Sequence, residues 1–279
     1  MTALDQLADW PVEQCAAAVV GVNGVLATMG DQNMPYPLAS VTKPLTAMGV
    51  LVAVQEEAIA LDHPLPTTDE FRLDGATLAH LLAHASGIAP DRRQRAAAPG
   101  TRRIYSNAGF ELVGELLEAA TEMPLPRYLS EAVFEPLGMN TTLNGSPASG
   151  GYGSVADLCR VIGELLNPTG LLVPSLRQAA STVQFPGLSG VLPGYGSQIH
   201  NDWGLGFEIR ADKSPHWTSS QNSAATYGHF GRSGTMIWID PAVQLGVVAL
   251  SDRDFDSWAI EAWPALSTAV LAEFATTGG

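Results

Sequence analysis

The chain has 279 residues, and 46% apolar content supplies core for one large domain or two interleaved ones, which excludes a disordered chain. Fourteen Lys plus Arg face 28 Asp plus Glu, and the formal charge of −14 argues against a nucleic-acid groove or an anionic membrane surface as partner. Only 15% of residues are charged, against roughly 25% in an average soluble domain. Just two residues are Lys, Lys43 and Lys213, so any motif that requires Lys is rare by chance. Cys15 and Cys159 show no CxxC or Cys/His metal spacing and read as buried, non-catalytic thiols. The opening residues lack a basic n-region and an apolar h-region, and no apolar run approaches a membrane span, so a cytoplasmic protein is expected.

Leu4, Leu7 and Ala8 suggest a short amphipathic helix before Pro11. The runs 16–22 and 25–28 flank Asn23-Gly24, whose residues tolerate the positive φ of a tight hairpin turn. After a polar connection over 31–37, the stretch 40–61 has the length and apolar face of a helix, with Pro44 in its first turn. Helices are predicted over 77–84, 107–121, 125–133 and 155–166, separated by Gly and Pro clusters, with one more over 174–182. A Gly/Pro-rich loop follows at 186–201. The period then changes to strands at 204–210, 225–230, 236–239 and 245–250, and a last helix covers 258–274, bent or restarted at Pro264. Two strands before the helical block and four after it predict one antiparallel sheet completed by both chain ends, an α/β (α+β) fold with a helical insertion.

Three short motifs carry chemistry. Ser40-Val41-Thr42-Lys43 opens the long helix, where residues i and i+3 share a face, so the Lys43 amine can take the proton of the Ser40 hydroxyl. With 19 Ser and two Lys, chance supplies about 0.14 such pairs; the plainer role for Ser40 is a helix cap. Tyr105-Ser106-Asn107 stands at a loop-to-helix junction. A phenol beside an ammonium passes a proton more easily, and Asn107 can meet a substrate carbonyl, although a capping turn has the same composition. His229-Phe230-Gly231 ends an apolar strand and is followed by Arg232-Ser233-Gly234-Thr235; glycine there lets a ligand approach the backbone N–H groups. In this order the three motifs arise by chance about 0.002 times.

At these residues the sequence resembles the serine β-lactamase and penicillin-binding-protein superfamily, in the branch of class C β-lactamases, D-alanyl-D-alanine carboxypeptidases and related esterases. SVTK, YSN and HFG match its Ser-x-x-Lys, Tyr-x-Asn and Lys/His-x-Gly boxes. Further similar stretches run from Leu78 to Ile88, over Pro99-Gly100-Thr101, at Glu135-Pro136-Leu137-Gly138-Met139 and at Trp203-Gly204-Leu205-Gly206. The resemblance implies a β-lactamase/transpeptidase-like fold. Residues 1–64 and 183–279 would form the α/β domain and 65–182 the helical one, with the active site in the cleft between them.

By the same resemblance Ser40 is the acyl-accepting nucleophile, and Lys43 and Tyr105 handle its proton, with the choice of base open. Asn107 positions Lys43 and the substrate carbonyl, His229 replaces the Lys of the β-lactamase box, and Gly231 keeps the strand edge open. The backbone N–H groups of Ser40 and Arg232 form the oxyanion hole. Neither a cofactor nor a metal is implied; the expected partner is a small ester or amide substrate, with no obligate protein partner. The neutral-or-cationic imidazole of His229 and the missing export signal favour an esterase. The alternatives are a β-lactamase or D,D-carboxypeptidase and, in another class, an inactive sensor or binding module.

Other residues admit two readings. His80 and His84 have the i, i+4 spacing of a metal pair, but no Glu follows His80, and structural roles are expected. Arg92, Arg93, Arg95, Arg102 and Arg103 form the one basic cluster, either solvated surface or an edge of the cleft that attracts an anionic substrate. Trp203, Trp217 and Trp238 either line an acyl pocket or belong to the core. No Gly-x-Ser-x-Gly, P-loop or Gly-x-Gly-x-x-Gly occurs, which removes the corresponding hydrolase and nucleotide-binding readings.

Overall fold

The computed structural model describes residues 2–66, 72–167 and 170–275. A 3₁₀ turn (Ala3–Asp9) leads into β1 (Cys15–Gly21) and β2 (Gly24–Met29), then β3 (Tyr36–Pro37), a second 3₁₀ turn (Ala39–Val41) and α1 (Thr42–Gln55). Next come α2 (Leu78–Leu82), α3 (Asn107–Thr121) and α4 (Leu125–Leu129), which continues into a π turn (Ser130–Phe134). After β4 (Thr142–Leu143), β5 (Gly151–Gly153), α5 (Val155–Leu166) and α6 (Pro174–Ser181) the chain forms β6 (Gly190–Leu192) and β7 (Gly196–Gln198). It ends with β8 (Glu208–Ile209), β9 (Tyr227–Gly231), β10 (Thr235–Asp240), β11 (Leu245–Ser251) and α7 (Ser257–Phe274).

The main sheet is antiparallel with strand order β2-β1-β11-β10-β9-β8, so the two predicted early strands and the four late ones do form one sheet. Successive side chains of a strand point to opposite faces, and here both faces are covered. Ala16, Ala18, Val20, Ile237, Ile239, Val248 and Leu250 face a core shared with α1, α3 and α5. Ala17, Val19, Met236, Trp238, Val247 and Ala249 face the N-terminal 3₁₀ turn and α7. Burial on two sides is why β1, β10 and β11 read as apolar runs instead of alternating. Helix α1 is buried from Thr42 to Ala53, as a helix that is apolar all round must be. Helix α5, inside the stretch expected to be a separate helical domain, packs on β1 and β11, and one continuous core joins it to α1 and α3.

Several boundaries differ from the sequence reading, each for a local reason. Helix α1 stops at Gln55, not 61, because Glu57 takes a left-handed φ of 60° and Ala58 N–H bonds to the Ala53 carbonyl at 2.9 Å. This is a Schellman end with Glu where glycine usually signals it. The predicted strand 204–210 shrinks to Glu208–Ile209, since Gly206, at φ +86°, turns the chain against Ala47 of α1, where a methyl group would collide. The predicted loop 186–201 contains the β6–β7 hairpin. Helix α7 runs unbroken through Pro264. Beside the main sheet, β3, β5 and β4 form a small one that no period in the sequence announced.

Candidate active site

Ser40 lies in the 3₁₀ turn before α1, and Lys43 one turn further on. The turn between β9 and β10 holds this segment from outside: Thr235 Oγ1 donates to the Leu38 carbonyl at 2.9 Å and Ser233 Oγ to the Pro37 carbonyl at 2.5 Å. Gly231 makes that approach possible, since a side chain there would overlap the Leu38 carbonyl. Tyr105 is fixed by its neighbours: Ile104 N–H donates to the His84 carbonyl at 2.9 Å and Ser106 N–H to His84 Nδ1 at 3.1 Å. Ser106 caps α3 by accepting from Gly109 N–H at 2.9 Å, which sets Asn107 on the first turn.

These segments bring Ser40, Lys43, Tyr105, Asn107 and His229 together. Tyr105 Oη donates to Ser40 Oγ at 2.7 Å, and Lys43 Nζ lies 3.2 Å from the same oxygen. Lys43 Nζ also meets Asn107 Oδ1 at 2.8 Å and the Ala148 carbonyl at 3.0 Å. Asn107 is oriented from its other end, where Nδ2 donates to Asp91 Oδ1 at 2.8 Å. Burial pushes the Lys43 amine down to about 7, against the smaller opposing pull of Glu111 and Asp91. Burial raises the Tyr105 phenol well above its ordinary range despite the Ser40 bond.

His229 is buried, and its Nδ1 accepts from Phe230 N–H at 2.7 Å, so in the neutral ring the proton sits on Nε2, 3.4 Å from Tyr105 Oη. Burial, with the Lys43 charge added, pushes His229 down to about 3, so it is neutral at pH 7 and supplies no cation. Arg232 begins the β9–β10 turn, with its guanidinium turned to solvent and 3.8 Å from Asp254. The arrangement can move the Ser40 proton to Lys43 while Tyr105 and His229 remain donors behind the oxygen.

The cleft at Ser40 encloses about 350 Å³. Its apolar wall is Leu192, Pro193, Trp203, Phe230 and Phe255, so Trp203 faces the cleft while Trp217 and Trp238 belong to the core. The β6–β7 hairpin supplies Leu192, Pro193 and Gly194 to the rim. The five Arg residues are not one patch. Arg103 is buried and donates to the carbonyls of Ala83, Gln184, Phe185 and Asn201, Arg93 pairs with Glu115, and Arg102 stays exposed. The His80 and His84 rings part company: His80 Nδ1 accepts from Thr77 N–H at 3.2 Å, and His84 anchors the Tyr105 loop. Cys15 and Cys159 are free, and burial raises both thiols, Cys159 to about 12. Asp91, His84, Ser233 and Thr235 were missed as parts of the site; only the run after Gly231 hinted at the last two.

A two-faced antiparallel sheet with a Ser-Lys-Tyr cluster at the end of one strand defines a β-lactamase-type serine hydrolase. The family model described as Beta-lactamase matches residues 11–269, and the chain belongs to that family. A solved β-lactamase from Mycobacterium bovis is 52% identical, with a TM-score of 0.94 over 98% of this chain and 100% of that one. An Escherichia coli K12 protein, provisionally named a D-alanyl-D-alanine carboxypeptidase, is 24% identical over 207 residues, 56% of this chain and 46% of that one. The chain thus spans about half the length of the curated relatives it matches. Unliganded simvastatin synthase from Aspergillus terreus, 17% identical, shares the fold with a TM-score of 0.77 over 98% of this chain and 96% of that one. Among the described residues no helix is long and apolar enough to cross a membrane.

Proposed function

We propose that this protein hydrolyses small carboxylic esters through an acyl-enzyme on Ser40. The observation that carries the reading is the set of partners around Lys43 Nζ. Asn107 Oδ1 and the Ala148 carbonyl can only accept, so in the neutral amine they take both N–H groups and leave the lone pair for the Ser40 O–H. Ser40 passes its proton to Lys43 as Oγ bonds to the ester carbon. The backbone N–H groups of Ser40 and Arg232 hold the oxyanion, a placement whose removal typically costs about 100- to 1,000-fold. On collapse the C–O bond to the alcohol breaks, and the Lys43 proton returns by way of Tyr105 to the leaving oxygen. Water then attacks the acyl-enzyme by the same proton route, which regenerates Ser40.

The preference for esters is supported by the surroundings of the reacting atoms. A neutral His229 and the apolar part of the cleft wall suit an uncharged acyl group, and the guanidinium of Arg232, at the rim of the cleft, is solvent-exposed and lies 3.8 Å from Asp254. A second reading, β-lactamase, is favoured by the Mycobacterium bovis protein, similar at 52% identity over 98% of the chain. One parallel assay decides: p-nitrophenyl butyrate, a chromogenic cephalosporin and a D-alanyl-D-alanine peptide, each with wild type and Ser40→Ala. Ester turnover lost in Ser40→Ala, with a single butyryl adduct by intact-protein mass spectrometry, is the expected outcome. An adduct that survives Ser40→Ala overturns the nucleophile, and faster cephalosporin opening overturns the ester preference. A protein that forms no adduct with any of the three is a binding module.

A further inference from the structure

Tyr105 and Pro193 border two cavities, not one. Besides the cleft at Ser40, a pocket of about 430 Å³ lies against Tyr105, with Pro90, Ile104 and Val191 as apolar wall. Arg102 and Arg103 complete it. Arg103 is already directed to four backbone carbonyls. Arg102 is exposed and has no hydrogen bond or ion pair among the described residues. Asp91, the carboxylate next to Pro90, is engaged with Asn107. An apolar pocket beside the reacting atoms, with one uncommitted guanidinium, matches a chain that is apolar near the ester and anionic further out.

We propose that this second pocket receives the alcohol arm of the substrate and that Arg102 selects alcohols bearing a carboxylate. The inference rests on the ester-hydrolase reading. The assignment of arms follows from Tyr105: its hydroxyl bonds Ser40 Oγ and stands where a proton must reach the leaving oxygen, so the leaving group departs on the Tyr105 side. The acyl group keeps the cleft walled by Trp203 and Phe230.

The test compares two esters that form the same acyl-enzyme, p-carboxyphenyl butyrate and its neutral counterpart p-(methoxycarbonyl)phenyl butyrate. In Arg102→Gln, kcat/KM for the carboxylate ester is expected to fall about fivefold, mainly through KM, with the neutral ester unchanged. High salt is expected to erase the same preference in wild type. Calorimetry with the products gives a readout that needs no turnover: p-hydroxybenzoate binds wild type more tightly than methyl p-hydroxybenzoate, and Arg102→Gln removes the difference. Equal effects on both esters, or equal binding of both phenols to wild type, overturn the subsite. Selective phenol binding without ester turnover supports the subsite and overturns the ester reading; turnover without selectivity overturns the subsite alone.

Discussion

In the proposed reaction Lys43 both takes and returns a proton, and its surroundings satisfy either state. Protonated, its three N–H groups have Ser40 Oγ, Asn107 Oδ1 and the Ala148 carbonyl as acceptors; neutral, it turns its lone pair to Ser40. Because burial brings the amine down to about 7, while Tyr105 is pushed the other way, the proposed reaction uses Lys43 as the base of the pair at neutral pH. The ammonium has no lone pair, so kcat/KM for p-nitrophenyl butyrate is expected to rise with pH through about 7 and level off above it. A flat profile from pH 5 to 9 would count against Lys43 as base. Ser40, Lys43 and Tyr105 were legible in the sequence because their side chains identify the chemistry and their order is improbable. The Ala148 carbonyl that completes the Lys43 shell was not, since every residue carries one. Asp91 and His84 were hidden for another reason: they act through Asn107 and Ser106, and only folding makes them neighbours.

At the scale of elements, the site depends on how closely the end of β9 approaches the turn that carries Ser40. Gly231 sets that distance. In Gly231→Ala the methyl group must displace the Leu38 carbonyl or Thr235 Oγ1, both close to Ser40. A shift of about 1 Å at a reacting group can cost on the order of 100-fold. The expected result is a drop of about that size in kcat with a folded circular-dichroism spectrum; wild-type kcat would show that β9 has room to spare. Element positions were read well where the apolar period was long, as in α3, whose bounds match the sequence reading at both ends. They were read poorly where a single backbone angle decides. Glu57 ends α1 at a positive φ that its residue type does not advertise, and two glycines, Gly204 and Gly206, break an apolar run that resembles a strand.

The described residues are fastened by a core on each face of the sheet and by a buried ionic cluster beside the cleft. Glu208 accepts from Lys213 Nζ, from Trp217 Nε1 at 2.8 Å and from His216 Nε2 at 3.0 Å, all buried. Burial alone would raise the Glu208 carboxyl, but His216 and Lys213 outweigh it and hold it far below the usual range. The second of the two lysines therefore supports β8, which pairs with the strand carrying His229. Lys213→Met leaves the buried carboxylate without its lysine counter-charge and is expected to cost about 3–5 kcal/mol, read as a lower urea midpoint. A midpoint unchanged from wild type would mean that His216 and Trp217 suffice. That both chain ends build the sheet has a consequence in time. Cys15 of β1 pairs with Ser251 of β11, so the centre of the sheet joins residues made far apart in the order of synthesis. A ribosome delivers Ser40 and Lys43 well before His229, Gly231 and the Arg232 N–H, which lie almost 190 residues or more further on. On the proposed reading, the nascent chain carries its nucleophile unarmed, and reactivity toward esters begins when the late strands close beside the early one.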